Sequence, residues 1–170
     1  MLRKAFVIAL LGLFPAIAQA QFEQGDWELT LSGSGGSDKD FDSTSLAVQG
    51  SLGYFFTDNI EVALRQAAGY ASVDGGDDLF TGSTRVAADF HFDLDRWQPF
   101  VGGNIGYVYG DGVNDTFEAA PEAGVKYFVN STTFIFALIE YQFFFENSDE
   151  ADDAFDDGQW VYSLGLGFRW

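Results

Sequence analysis

From Trp160 to Trp170 a large apolar side chain occupies every second position: Trp160, Tyr162, Leu164, Leu166, Phe168 and Trp170. Val161, Ser163, Gly165, Gly167 and Arg169 fill the alternate positions. A strand alternates its faces with period two, so this segment is a strand with one apolar and one small or polar face. The same alternation recurs over Asp26–Gly33, Ser45–Phe56, Ile60–Tyr70, Ser83–Asp93, Pro99–Tyr109, Ala119–Val129 and Thr133–Phe145, which predicts eight strands in all. Their connections alternate in length. Thr57–Asn59, Leu94–Gln98 and Asn130–Thr132 are short, while Ser34–Thr44, Ala71–Gly82, Gly110–Glu118 and Glu146–Gly158 are long. Short turns at one end and long loops at the other describe an up-and-down antiparallel meander, and an even strand number lets it close and lose its edges. The expected fold is all-β, a closed eight-stranded antiparallel up-and-down β-barrel. Pro99 and Pro121 are placed near strand ends, where a missing ladder donor is tolerated.

Register sorts every strand into two faces. The outward set is apolar (for example Leu29, Leu31, Leu52, Val62, Leu64, Val86, Val101, Ile105, Ile135 and Ile139), with Gln66 as the clear polar exception. With both termini on the short-turn side, Trp27, Tyr54, Phe92, Trp97, Tyr127 and Trp170 fall at one rim. Tyr70, Tyr107, Tyr109, Tyr141 and Trp160 fall at the other. Two aromatic belts with aliphatic residues between them suit a barrel that crosses a bilayer, and give a soluble barrel no advantage. Gln66 is weighed as a lateral opening for an apolar solute. The inward set is mostly small (Gly53, Ala63, Ala67, Gly69, Ala87, Gly102, Gly106, Gly124, Gly165, Gly167), as a narrow interior requires. The rest is charged: Glu61, Arg65, Arg85, Asp89, Glu122, Lys126, Glu140 and Arg169, with polar Gln49, His91, Asn104 and Gln142. Charges in a low-dielectric interior have to be paired, so a lumenal salt-bridge network is expected, with Arg65 and Asp89 as its first contact. Such a network would form either a structural plug or a polar gate. The plug is preferred, because eight strands leave little room for water.

The N-terminus indicates export. Arg3 and Lys4 precede an apolar run from Ala5 to Ala16, and Ala18-Gln19-Ala20 follows. That order matches a secretory signal, residues 1–20, cleaved after Ala20, with Pro15 and Gln19 interrupting any transmembrane helix. Residues 21–170 then form one barrel domain. Removing Arg3 and Lys4 from a formal net charge of −18 leaves −20 on that domain, a poor match for nucleic acid. Nineteen Phe, seven Tyr and four Trp exclude an acidic disordered chain. With no cysteine, the exported chain has to be stable without disulfides.

Gly53-Tyr54-Phe55-Phe56-Thr57-Asp58-Asn59-Ile60-Glu61-Val62, Trp97-Gln98-Pro99-Phe100-Val101-Gly102-Gly103-Asn104-Ile105-Gly106-Tyr107 and the terminal Phe168-Arg169-Trp170 resemble the small outer-membrane β-barrel family of OmpA-type transmembrane domains, OmpX and OmpW. The resemblance covers essentially all of residues 21–170. It implies a Gram-negative outer membrane with its lipid and lipopolysaccharide as surroundings, and delivery by periplasmic chaperones. It also implies a terminal strand read by the barrel-assembly machinery, which maps onto Tyr162, Leu164, Leu166, Phe168 and Trp170. A barrel without an appended peptidoglycan-binding domain is expected. Family members include adhesins, conduits and structural proteins, so the fold leaves the activity open.

By that family topology the long loops face outward, and they are acidic. Asp38, Asp40, Asp42, Asp74, Asp77, Asp78, Asp111, Asp115, Glu118, Glu146, Asp149, Glu150, Asp152, Asp153, Asp156 and Asp157 stand against Lys39 alone. The run Glu146, Asp149, Glu150, Asp152, Asp153, Asp156, Asp157 is a candidate Ca²⁺ or Mg²⁺ site bridging to lipopolysaccharide phosphates, although its spacing is not that of an EF-hand. A solvated, mutually repelling surface or adaptation to high salt is the other reading, and the preferred one. The single histidine, His91, has Asp89 and Asp93 on its own face and could pair with either. No G-x-S-x-G occurs and no second His or Cys offers a metal centre, so no catalytic residue and no cofactor are expected. A non-enzymatic structural or surface-interaction role is expected, with a narrow conduit for ions or small apolar solutes as the alternative. An outer-membrane enzyme and a soluble lipocalin-like carrier are the remaining classes.

Overall fold

The computed structural model describes residues 22–37, 43–73, 79–110, 116–145 and 158–170. It contains eight strands: β1 Trp27–Ser37, β2 Ser43–Phe55, β3 Ile60–Val73, β4 Leu79–His91, β5 Trp97–Gly110, β6 Thr116–Phe128, β7 Thr133–Phe145 and β8 Gln159–Arg169. Each pairs antiparallel with its sequence neighbours, and β1 pairs with β8 to close the barrel. The strands reach further toward the long-loop rim than alternation alone indicated. There the ladders begin at Ser43 against Val73 and at Ala71 against Leu79. Backbone pairing continues into polar, glycine-rich segments whose side chains carry no periodic signal. The acidic run at residues 146–157 and the signal at residues 1–20 lie outside the described residues.

Short polar side chains tie down the tight turns. Thr57 Oγ1 accepts from the Asn59 and Ile60 amides at 3.3 and 3.0 Å. Asn130 Oδ1 accepts from the Thr132 and Thr133 amides at 2.9 and 2.8 Å. Asp93 Oδ1 accepts from the Asp95 amide at 3.1 Å, with Asp95 itself at φ 63°. These are the Asx and hydroxyl turns that compete with regular structure, so they end the strands here. Pro121 corrects the expectation that it would lie near a strand end: it sits inside β6. The β6–β7 ladder runs Ala119 to Phe143 and resumes at Glu122 to Glu140, skipping Ala120 and Pro121, because proline has no amide to give.

The outer surface is a band of exposed apolar side chains, with aromatic pairs at both rims. At the short-turn rim Trp27 packs on Tyr54 and Trp97 on Tyr127, with ring centroids 5.0 and 4.7 Å apart. At the other rim Tyr141 packs on Trp160 at 4.9 Å, Tyr107 packs on Phe117 at 5.2 Å, and Tyr70 stands exposed. Gln66 is satisfied on this face: Thr84 Oγ1 donates to its Oε1 at 2.8 Å, and its Nε2 donates to Tyr109 Oη at 2.8 Å and to the Ser83 carbonyl at 3.0 Å. A closed hydrogen-bonded patch, with no gap in the pairing of β3, β4 and β5, replaces the lateral opening weighed from sequence.

Inside, large side chains lie across glycines. Asp89, Arg85, Phe100, Phe136 and Phe134 are register partners of Gly102, Gly106, Gly124, Gly165 and Gly167. At each of these glycines a Cβ would overlap the side chain opposite. The small residues read from sequence as a narrow interior are therefore the seats of the bulky ones.

Candidate functional site

The lumen is layered. At the short-turn end Phe22, Phe55, Phe100, Phe128, Phe134, Phe136 and Leu138 form a buried apolar cluster. Phe22 reaches it because the chain before β1 turns back at Gly25, whose φ of +100° suits glycine, and the Gly25 amide donates to the Phe55 carbonyl at 2.9 Å. The Phe22 and Phe55 rings stack with centroids 4.0 Å apart. Sequence reasoning missed this aromatic base, because the outward Tyr54, Phe56 and Ile135 drew attention to the lipid face. The signal was parity: Phe55, Phe134 and Phe136 sit at the opposite phase to those neighbours.

Lys126 stands directly above the base. Its Nζ lies 5.0, 5.7, 5.4 and 5.3 Å from the ring centroids of Phe22, Phe55, Phe100 and Phe134. It donates to both Glu28 oxygens at 2.7 and 2.6 Å and to Glu61 Oε2 at 3.0 Å. Buried in aromatic faces and two carboxylates, the ammonium combines cation–π and charge-assisted contacts. Glu28 was not named from sequence, although it alternates with Trp27 and Leu29. His91 belongs to the same layer. It stacks on Phe100 at 5.2 Å, and its Nε2 is 3.5 Å from Glu61 Oε2. Neither Asp89 nor Asp93 is its partner: Asp89 turns to Arg65, and Asp93 takes Gln98 Nε2 at 2.9 Å. The His–Asp pair weighed from sequence is not formed, and His91 packs as a buried side chain of the aromatic layer.

The next layer centres on Arg65. Its guanidinium donates to Asp89 Oδ2 at 2.9 Å and to the two Glu122 oxygens at 2.8 and 2.6 Å, a two-point grip on one carboxylate. Arg85 is the direct register partner of Arg65, yet its side chain leans toward the long-loop rim. It meets Glu140 Oε1 at 2.8 Å, Glu118 Oε1 at 3.6 Å and, closely, the Gln49 carboxamide. Asn104 bridges the two arginine groups, donating closely to Glu122 and at 3.3 Å to Glu140. Glu118, assigned from sequence to a long loop, is instead an inward residue of β6 with 2% exposure. Four residues before Glu122, it shares that residue's face. Arg169 is the opposite correction. Assigned to the interior network, it sits at the short-turn rim, 3.1 Å from Asp26 Oδ2 and 2.8 Å from the Ser131 carbonyl, with its guanidinium over Phe22 and Phe128.

Between the ion pairs and the aromatic base the remaining void is about 20 Å³. Above Arg85 the lumen widens into a vestibule of about 540 Å³ that opens at the long-loop rim. Among the described residues no group of three or more His, Cys, Asp or Glu is arranged to hold a metal ion. The candidate loop ligands Glu146 to Asp157 fall outside those residues.

Comparison with known proteins agrees with this architecture. A family model described as the outer membrane protein beta-barrel domain matches residues 6–170. Outer membrane porin F of Pseudomonas aeruginosa is 28% identical over 134 residues, which is 71% of this chain but 37% of that protein. The chain thus spans little more than a third of that relative's length. Among solved structures, the N-terminal β-barrel domain of Pseudomonas aeruginosa OprF superposes with a TM-score of 0.64 at 22% identity, covering 88% of this chain and 100% of that one. OprG of the same species gives 0.60 at 14% identity, covering 90% and 99%. Neisserial surface protein A gives 0.56 at 16%, covering 85% and 94%. At these identities the structural likeness speaks for the fold.

Proposed function

Because the chain belongs to the outer membrane protein beta-barrel domain family and so resides in a Gram-negative outer membrane, we propose that it is a closed barrel with a structural or surface-interaction role rather than a diffusion pore or an enzyme. The observation that carries this reading is the filled lumen: an aromatic base, two tiers of ion pairs and a void of about 20 Å³ between them. A void of that size has room for about one water, so it offers no continuous hydrated path. In the same reading residues 1–20 are removed on export, the short turns face the periplasm, and the acidic loops face outward among lipopolysaccharide and divalent cations. Tyr162, Leu164, Leu166, Phe168 and Trp170 address the chain to the assembly machinery after periplasmic chaperones have carried it.

A second reading, a narrow cation conduit, draws on the interior charge. Arg65, Arg85 and Lys126 face six carboxylates: Glu28, Glu61, Asp89, Glu118, Glu122 and Glu140. The name of the porin F relative points the same way. Planar-bilayer recording separates the two. The plug reading expects no stable openings from the purified barrel, and stable openings that Arg65→Ala abolishes would replace it with the conduit.

A further inference from the structure

The vestibule has the size and lining of a ligand site. Its volume of about 540 Å³ falls within the range typical of small-molecule pockets, roughly 300–1,000 Å³. Val108, Phe144 and Val161 give it apolar wall, hydroxyl and carboxamide groups lie between them, and Arg85, Glu118 and Glu140 close its floor. The floor is unevenly satisfied. Glu140 receives Arg85 Nη1 at 2.8 Å, Gln142 Nε2 at 2.5 Å and Asn104 Nδ2 at 3.3 Å. Glu118 Oε1, by contrast, has no hydrogen-bond partner among the described residues, and neither has Arg85 Nε, 3.6 Å away. One guanidinium thus serves two carboxylates, and the surplus negative charge rests on Glu118. A buried carboxylate oxygen without a donor is costly, and a ligand donor would relieve that cost.

We propose that the vestibule binds a small organic ammonium ion, its N–H groups donating to Glu118 Oε1 and its hydrocarbon stem lying against Phe144 and Val161. The chemistry selects this class over others. An anion would meet the surplus carboxylate. A Ca²⁺ ion wants six to eight oxygens, several of them charged, and among the described residues the floor leaves a single carboxylate oxygen, Glu118 Oε1, without a hydrogen bond. A neutral apolar solute would leave Glu118 unrelieved. The sequences joining the strands at this rim carry Asp and Glu with only Lys39 against them, which raises the local concentration of cations at the mouth. The site lies on the loop side of the ion pairs and does not depend on whether the barrel conducts.

The test uses the full barrel in nanodiscs, titrated with 1-butylammonium chloride, 1-butanol and sodium butyrate and followed by backbone amide shifts on β4 and β6. Saturable binding of butylammonium is expected, with 1-butanol at least tenfold weaker and butyrate silent. Glu118→Gln should weaken butylammonium binding tenfold or more while keeping heat-modifiable mobility on gels, the sign of a folded barrel. Ser163→Phe, which fills the cavity from β8 and leaves Glu118 intact, should abolish binding, and it decides the matter if Glu118→Gln does not fold. The proposal is overturned by absence of saturable binding to the unaltered barrel, by butyrate binding as well as butylammonium, or by a folded Glu118→Gln or Ser163→Phe variant with unaltered affinity.

Discussion

At the scale of single residues, the interior is held by charges that cannot be removed one at a time. Arg65 neutralises Asp89 and grips Glu122 through both oxygens, all at small exposure. Taking one partner from a buried ion pair leaves an uncompensated charge, at a cost of about 3–5 kcal/mol. Arg65→Ala is therefore expected to destabilise the barrel by about that amount in a urea titration in detergent. Adding Glu122→Gln to Arg65→Ala should recover part of the loss, since the two sites share an interaction. The pairing of Arg65 with Asp89 was legible from their parity and depth on neighbouring strands. That Arg65 and Arg85 would oppose each other in register and lean apart was not, because the direction of a long side chain is settled by the carboxylates within its reach.

At the scale of elements, the strands fit because bulk on one lies over glycine on the next. Phe100 on β5 covers Gly124 on β6, and Phe134 and Phe136 on β7 cover Gly167 and Gly165 on β8. A side chain at those glycines has to displace a buried ring. Gly124→Val is expected to lower stability by about 1–3 kcal/mol through overpacking. Gly50→Ala, where the nearest atom to an added Cβ is 4.0 Å away, should stay within about 0.5 kcal/mol. Shifts in urea midpoint for the two variants check this contrast. The period-two pattern located all eight strands, but it left Pro121 at a strand end and Glu118 in a loop. Alternation weakens where small and polar residues line both faces, so the strand boundaries there had to come from backbone pairing.

At the scale of the whole molecule, closure rests on a short seam. β1 and β8 pair only from Glu28 against Arg169 to Gly33 against Leu164, and the last two hydrogen bonds join Trp27 and Trp170 backbones at 3.0 and 3.1 Å. Deleting Trp170 removes both bonds together with the terminal aromatic. The fraction of heat-modifiable, membrane-inserted protein is expected to fall while synthesis is unchanged; an unaltered folded fraction would show that the seam closes without it. The sequence by itself determined the eight-stranded meander, its lipid and lumen faces and its two aromatic belts, since these follow from a period of two and from where aromatic and acidic residues fall along each strand. Only the tertiary structure decided how the lumen is filled. Closure brought Phe22 from outside the strands into the base, carried Arg169 to the rim, and set Glu118 facing Arg85 with one oxygen unmet. Those outcomes depend on which inward side chains share a depth after eight strands have curled, and local alternation carries no record of that.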